Sequence, residues 1–208
     1  MKKLLFLISF FAIVSAKSQV QIGFINQTSS VTYATWNPSD KSVLITLSGG
    51  NLVAQSTSGA SEYLVRSTVS KSTGKWYWEI TFVRNTPTDP NFVPCGISLV
   101  SESVNSWPGA TAGSCLASNG LFYQNGVPGT LYGGLTDGDV IGMALDLTGG
   151  SETIKFYKNN VLLATETIPA GTYFASTGTY QTLGTTTANF GATAFVYGPP
   201  VGYNAGLY

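Results

Sequence analysis

Between Trp76 and Phe82 a large apolar side chain stands at every second position: Trp76, Trp78, Ile80 and Phe82. A period of two is the pattern of a β-strand, whose successive side chains point to opposite faces. Four such residues left in water would form an apolar patch that soluble monomers rarely carry. Buried, each contributes about 1.5–3 kcal/mol. The spacing predicts a core strand over Lys75–Val83 with these four inward. Tyr77, Glu79, Thr81 and Val83 are then expected outward, with Glu79 as the cross-strand partner of a Lys or Arg. A stacking platform for a sugar or base is the competing use of clustered aromatics.

The rest of the chain repeats this theme. No helical period sustains itself after residue 16, and short alternating runs are broken by Gly, Asn, Pro and Asp. Strands are expected near Val20–Ile25, Thr32–Trp36, Val43–Leu47, Asn51–Gln55, Tyr63–Ser70, Cys95–Val100, Leu121–Tyr123 and Val140–Leu147. Four more follow at Thr153–Lys158, Val161–Ile168, Tyr173–Thr177 and Thr186–Phe190. Asn159-Asn160 sits between two apolar runs and tolerates positive φ, which reads as a two-residue hairpin. Many short strands at regular spacing make an all-β sandwich or barrel. The long pieces without alternation are Asn85–Pro94, Glu102–Ser114 and Asn125–Gly138, and loops of that length in a compact domain usually carry function or move.

Charged residues are 10% of the 208, against about 25% in ordinary globular chains. Thr, Ser, Asn and Gly solvate the surface instead, a habit of exported and virus-particle proteins. The first residues read as a signal peptide: Lys2 and Lys3, an apolar run from Leu4 to Val14, and small residues at Val14-Ser15-Ala16. Residues 1–16 are therefore expected to be removed, with residues 17–32 as a lead-in carrying a strand and 33–208 as the domain. Without Lys2 and Lys3, eight basic side chains face ten acidic ones, a net charge of −2. No basic patch exists, so nucleic acid is excluded as a partner. No stable membrane span remains after cleavage. Cys95 and Cys115 are the only cysteines. They are either a disulfide closing a loop of about 20 residues, worth about 3 kcal/mol, or two free buried thiols.

The chain has no histidine, which removes Ser-His-Asp and Cys-His nucleophile chemistry. A glycosidase needs only two carboxylates. Asp137 and Asp139 flank a glycine, but "LTDGD" reads as a turn whose Asp side chains bond the local backbone. Asp146, between Leu145 and Leu147, reads as a hydrogen-bonded sandwich residue. No catalytic residue, metal site or cofactor is expected.

Several blocks in order resemble the SPRY domain family. "GKWYWEITF" resembles its signature strand, and "CGISLV" the Gly-Ile strand after its first long loop. "DGDVIGMALDLTGGSETIKFYKNNVLL" is similar to its most specific block, and "YFAS" and "TANFGATAFVYGPPVGY" to its closing strands. The early "TWNPSDKSVLITLSGGNLVA" is similar to the lead-in of bacterial and phage members. The resemblance spans about residues 33–205. It implies a bent antiparallel β-sandwich of jelly-roll type that works as a binding module, gripping a protein or peptide with loops at one end.

Loop aromatics and amides are the candidate contacts. Trp107 in "NSWPGA" is either a loop anchor or an exposed contact. Tyr123 and Asn125 end a strand at a turn, and Tyr132 follows in the next loop. Asn85 and Asp89 belong to another long loop placed to join the same rim. The expectation is an exported, non-catalytic module for a protein or peptide partner. Two other uses remain open: a phage or virus surface or tail-associated protein, and a glycan-binding domain.

Overall fold

The computed structural model describes residues 30–57, 62–84, 93–180 and 184–208. The expected signal peptide, the Val20–Ile25 strand, Asn85 and Asp89 lie outside the described residues. Val31–Tyr208 forms one compact unit. Its strands run β1 (Trp36–Lys41), β2 (Ile45–Ser48), β3 (Val53–Ser56), β4 (Glu62–Lys71) and β5 (Gly74–Arg84). There follow β6 (Val93–Ser98), β7 (Gly113–Leu116), β8 (Leu121–Gln124), β9 (Val127–Leu131) and β10 (Val140–Leu147). The last are β11 (Glu152–Lys158), β12 (Val161–Ile168), β13 (Tyr173–Tyr180), β14 (Gly184–Asn189) and β15 (Asn204–Ala205). No helix occurs among the described residues.

Two antiparallel sheets pack into a sandwich. The first has the order β1-β4-β13-β6-β7-β8-β9, the second β12-β11-β10-β5-β14-β3-β2, with β15 added beside β5 in parallel. β5 is central to the second sheet. Its Trp78, Ile80 and Phe82 are buried in the core with Trp36, Val65, Ile97, Leu116, Phe122, Met143 and Phe156, while Trp76 is half-buried at its margin. The Trp36 indole donates to Leu52 O at 3.1 Å and meets the Phe190 ring edge-on at 5.0 Å. The Asn159-Asn160 hairpin forms as expected, with φ of 48° and 69°.

Three expectations are corrected. Residues 32–35 are not a strand. They lie against the chain end through Ala34 N–H to Leu207 O at 2.7 Å, and the first strand opens at Trp36. β9 forms inside a stretch read as irregular and β7 begins within another, because cross-strand pairing completes ladders whose sequences carry no alternation. The outer face of β5 meets solvent only toward its end, where Val83 is exposed and Thr81 half-buried, while Tyr77 and Glu79 are both buried. After β14 the chain makes an excursion across this face and returns as β15, the return closed by Gly206 N–H to Tyr77 O at 3.0 Å and Leu207 N–H to Phe190 O at 2.9 Å. Phe195 meets the Tyr77 ring edge-on at 5.2 Å. Glu79 takes no Lys or Arg. Its carboxylate accepts the N–H groups of Val196, Tyr197 and Gly198 at 2.8, 2.9 and 3.1 Å, and the Tyr77 hydroxyl at 3.0 Å. Successive backbone N–H groups converging on one anion form a cradle that replaces its lost hydration.

The cysteines are free. Cys95 pairs with Leu116 and Gly96 with Cys115. Paired residues share a face and neighbours in a strand do not, so the two thiols point to opposite faces of the first sheet. Of the two readings left open by the sequence, the pair of buried thiols is the one observed. Burial pushes the pKa of both upward.

Candidate binding surface

The outer face of the first sheet is covered by residues 99–112, which join β6 to β7. Two buried charged side chains hold this segment. Arg66, 1% exposed, points from β4 away from the core. Its guanidinium donates to Asp40 Oδ1 at 2.6 Å, to Leu99 O at 3.1 Å, to Val100 O at 3.4 Å and to Glu102 O. The Glu102 carboxylate faces the other way and accepts Thr111 N–H, Thr111 Oγ1–H and Ala112 N–H at 2.9, 2.9 and 2.7 Å. A buried guanidinium has five donors to satisfy and a buried carboxylate about four acceptor sites, so each fixes several backbone groups at once. Pro108 then lies flat on the sheet. A Cβ on Gly96 would come within 2.9 Å of Pro108 Cβ, and one on Gly178 within 2.5 Å of Pro108 Cδ.

This clamp sets Trp107 against Cys115, Ala117 and Tyr123. Its ring meets Tyr123 edge-on, 5.0 Å between centroids at 71°. Both rings are half-buried. Tyr123 pairs across the ladder with Pro128, which is exposed and extends the surface onto β9. None of Trp107, Tyr123, Ala117 and Pro128 carries charge. Asn125 lies at the end of this surface, but as a turn former. Asn125-Gly126, with φ of 49° and 80°, closes the β8–β9 hairpin, and Asn125 Oδ1 accepts Gly113 N–H at 3.0 Å. Gly126 N–H donates to Gly109 O at 2.7 Å, tying the hairpin to the Trp107 segment.

Of the six expected contacts, the structure brings together Trp107, Tyr123 and Asn125. Tyr132 does not join them. It packs on the core and its hydroxyl donates to Glu166 Oε1 at 2.7 Å, bridging to β12 of the other sheet. Burial, then the Glu166 bond, raises its pKa. Asn85 and Asp89 are outside the described residues, but their flanks are placed. β6 opens at Val93, opposite Gly178, and ends at Ser98, opposite the Gly113 that meets Asn125. Sequence reasoning missed Pro128, Arg66 and Glu102. The Asn-Gly pair is the signal for Pro128, since a two-residue hairpin there folds Val127-Pro128 back beside Tyr123. Arg66 and Glu102 have no local signal, because their partners lie up to 36 residues away.

The acidic turn holds the local backbone through Asp139 as expected, while Asp137 reaches instead to Arg84 on β5. Asp137 Oδ1 accepts Arg84 Nε at 2.7 Å, and Asp139 accepts Thr136 N–H at 2.7 Å and pairs with Lys158 at 3.1 Å. Asp146 pairs with Lys75 at 2.8 Å and accepts Thr148 Oγ1–H at 2.6 Å. Near Arg84 an open cleft of about 530 Å³ is lined by Gln55, Ser56, Thr57, Val83, Gly184 and Thr185, a mix of polar and aliphatic groups with no aromatic among the described residues that line it.

No family model matches the sequence, and no curated protein sequence matches it. Solved structures do. The SPRY domain of human HERC1 is 18% identical with a TM-score of 0.63, over 74% of this chain and 96% of that one. The TRIM65 PSpry domain is 19% identical with a TM-score of 0.58, over 76% and 92%. Stonustoxin is 20% identical with a TM-score of 0.57 over 76% of this chain, which spans only 27% of the toxin chain. The fold of this chain is the SPRY-like β-sandwich.

Proposed function

We propose that the chain is a non-catalytic recognition module that holds a protein or peptide partner on the Trp107–Tyr123 surface. The observation that carries this reading is the uncharged edge-to-face pair itself, mounted on a segment clamped by Arg66 and Glu102. Trp and Tyr lead binding hot spots because each offers a large rigid surface at small cost in rotamer freedom. A clamped segment has already lost the entropy that a mobile loop loses on binding. The likeness to the HERC1 and TRIM65 SPRY domains supports binding rather than catalysis. Seven carboxylates, Asp40, Glu79, Glu102, Asp137, Asp139, Asp146 and Glu166, each have a partner within the chain, whereas Glu152 Oε2 is buried without one.

The same proposal places the protein outside the cell that makes it, with residues 1–16 removed after Ala16. The basic start, apolar run and small-residue end support export. Residues 17–208 used as bait in a pull-down from the source cells test the binding reading. The expected result is a partner captured by the wild-type domain and lost with Trp107→Ala and with Tyr123→Ala. Capture unchanged by both substitutions overturns it. Mass spectrometry of the purified protein is expected to find Lys17 at the N-terminus; an intact Met1 overturns export.

A further inference from the structure

A second aromatic feature lies where β4 passes into β5, and its occupant is one of the protein's own side chains. The Lys71 ammonium sits 3.5 Å from the centroid of the Trp76 ring and 5.4 Å from that of Tyr208, and it donates to Tyr208 O. The two rings stand nearly perpendicular, 77° apart with centroids at 5.4 Å, so they form two walls of a corner around the charge. Each wall is fixed from behind. Trp76 Nε1 donates to Thr73 O at 2.7 Å, over a Gly74 whose Cβ would strike that nitrogen at 3.0 Å. The Tyr208 hydroxyl donates to Asn204 Oδ1 at 3.2 Å, and Tyr33 meets its ring edge-on at 5.7 Å. Tyr33 in turn lies over Gly191 and Gly206, where a Cβ would come within 2.7 and 2.8 Å of its ring.

We infer that Trp76 and Tyr208, buttressed by Tyr33, form a binding site for a methylated ammonium group, which Lys71 fills in the free protein. Aromatic faces attract a cation through the ring quadrupole, more strongly as the cation loses its water. A quaternary ammonium is the cation best suited to such a corner, because it is weakly hydrated and loses little on entering. The Lys71 ammonium is strongly hydrated, and burial lowers its pKa. Its four-carbon stem is flexible, so it can leave the corner without moving the backbone. The site uses none of the residues of the Trp107–Tyr123 surface.

Choline titrated into the full chain, read by Trp fluorescence and by the Trp76 indole N–H resonance, tests this. Lys71→Ala removes the tethered competitor and is expected to bind choline at least tenfold tighter than the wild type. Lys71→Gln, which keeps most of the stem, is expected to gain likewise. Trp76→Ala in the Lys71→Ala background is expected to abolish the gain. The neutral isostere 3,3-dimethylbutan-1-ol is expected to give no response. No choline response in folded Lys71→Ala or Lys71→Gln overturns the inference. So does equal binding by wild type and variants, or an equal response to the neutral isostere.

Discussion

Arg66 and Glu102 meet through the backbone rather than through their opposite charges. The guanidinium takes the Glu102 carbonyl, and the Glu102 carboxylate turns away to hold Thr111 and Ala112. One residue thus fixes the start of the 99–112 segment to the sheet while the other fixes its end to its start. The direct charge partner of Arg66 is Asp40. Trp107 sits between these two anchors, so its orientation depends on charged residues it never touches.

Removing the Arg66 guanidinium leaves Asp40 and three carbonyls without their donor. Arg66→Met is expected to lower stability by about 2–3 kcal/mol, less than for a fully buried pair because Asp40 is partly exposed, with the carbonyls left without a donor making up most of the loss. Chemical denaturation gives the number, and Trp emission shifted to the red in the native baseline reports release of Trp107. A variant as stable as wild type contradicts the anchoring role.

Glu79 is the corresponding pin on the second sheet. Glu79→Ala strands three N–H groups, each costing about 1–3 kcal/mol if left unpaired and buried. Part of this is recovered as the 195–198 segment lifts into water. A loss of roughly 2–4 kcal/mol is therefore expected, with proteolytic cleavage appearing first between Phe195 and Tyr203. Unchanged stability together with unchanged cleavage sites contradicts the cradle.

Acid weakens the fold through Asp139 and Asp146. Burial pushes both carboxyls up, but their hydrogen bonds and lysine partners outweigh it and hold both pKa values below the ordinary carboxylate range. Carboxyls depressed in the folded state add stability above their unfolded pKa of about 3.9 and lose it as pH falls through the folded values. The melting temperature is expected to fall below about pH 4. A double Asp139→Asn, Asp146→Asn variant is expected to lose part of that acid slope, and an identical slope contradicts the assignment.

How much of this was legible in the sequence varies with the range of the interactions. The alternation of Trp76, Trp78, Ile80 and Phe82 gives β5 its inward face, because a strand's two faces are set within the strand. Val140–Leu147 and Val161–Ile168 were placed to the residue for the same reason. The burial of Tyr77 and Glu79 on the outward face of β5 is not legible in the sequence because their cover arrives more than a hundred residues later, at Phe195–Gly198. β9 does not show in the sequence because Pro128 and Gly129 are poor strand formers and the strand is held by its hairpin. For the binding surface, loop aromatics pointed to Trp107 and Tyr123. Their contact depends on the register of β7 with β8 and on the Arg66 clamp, which no local pattern encodes.

The thiols test the β6–β7 register chemically. Cys95 and Cys115 point to opposite faces with raised pKa values, so neither is expected to react with a thiol reagent in the native state. Both are expected to react in denaturant. Native protein treated with a mild oxidant is expected to retain two titratable thiols; loss of both to an internal disulfide contradicts the register.

The central claim is that the Trp107–Tyr123 pair carries binding. The most direct measurement is calorimetric titration of the captured partner into Trp107→Ala, with Thr185→Ala in the distant Arg84 cleft as the comparison. The account predicts at least a thirtyfold loss of affinity for Trp107→Ala, about 2 kcal/mol and the threshold of a hot spot, with Thr185→Ala unchanged. Wild-type affinity in Trp107→Ala, or a larger loss from Thr185→Ala, contradicts it.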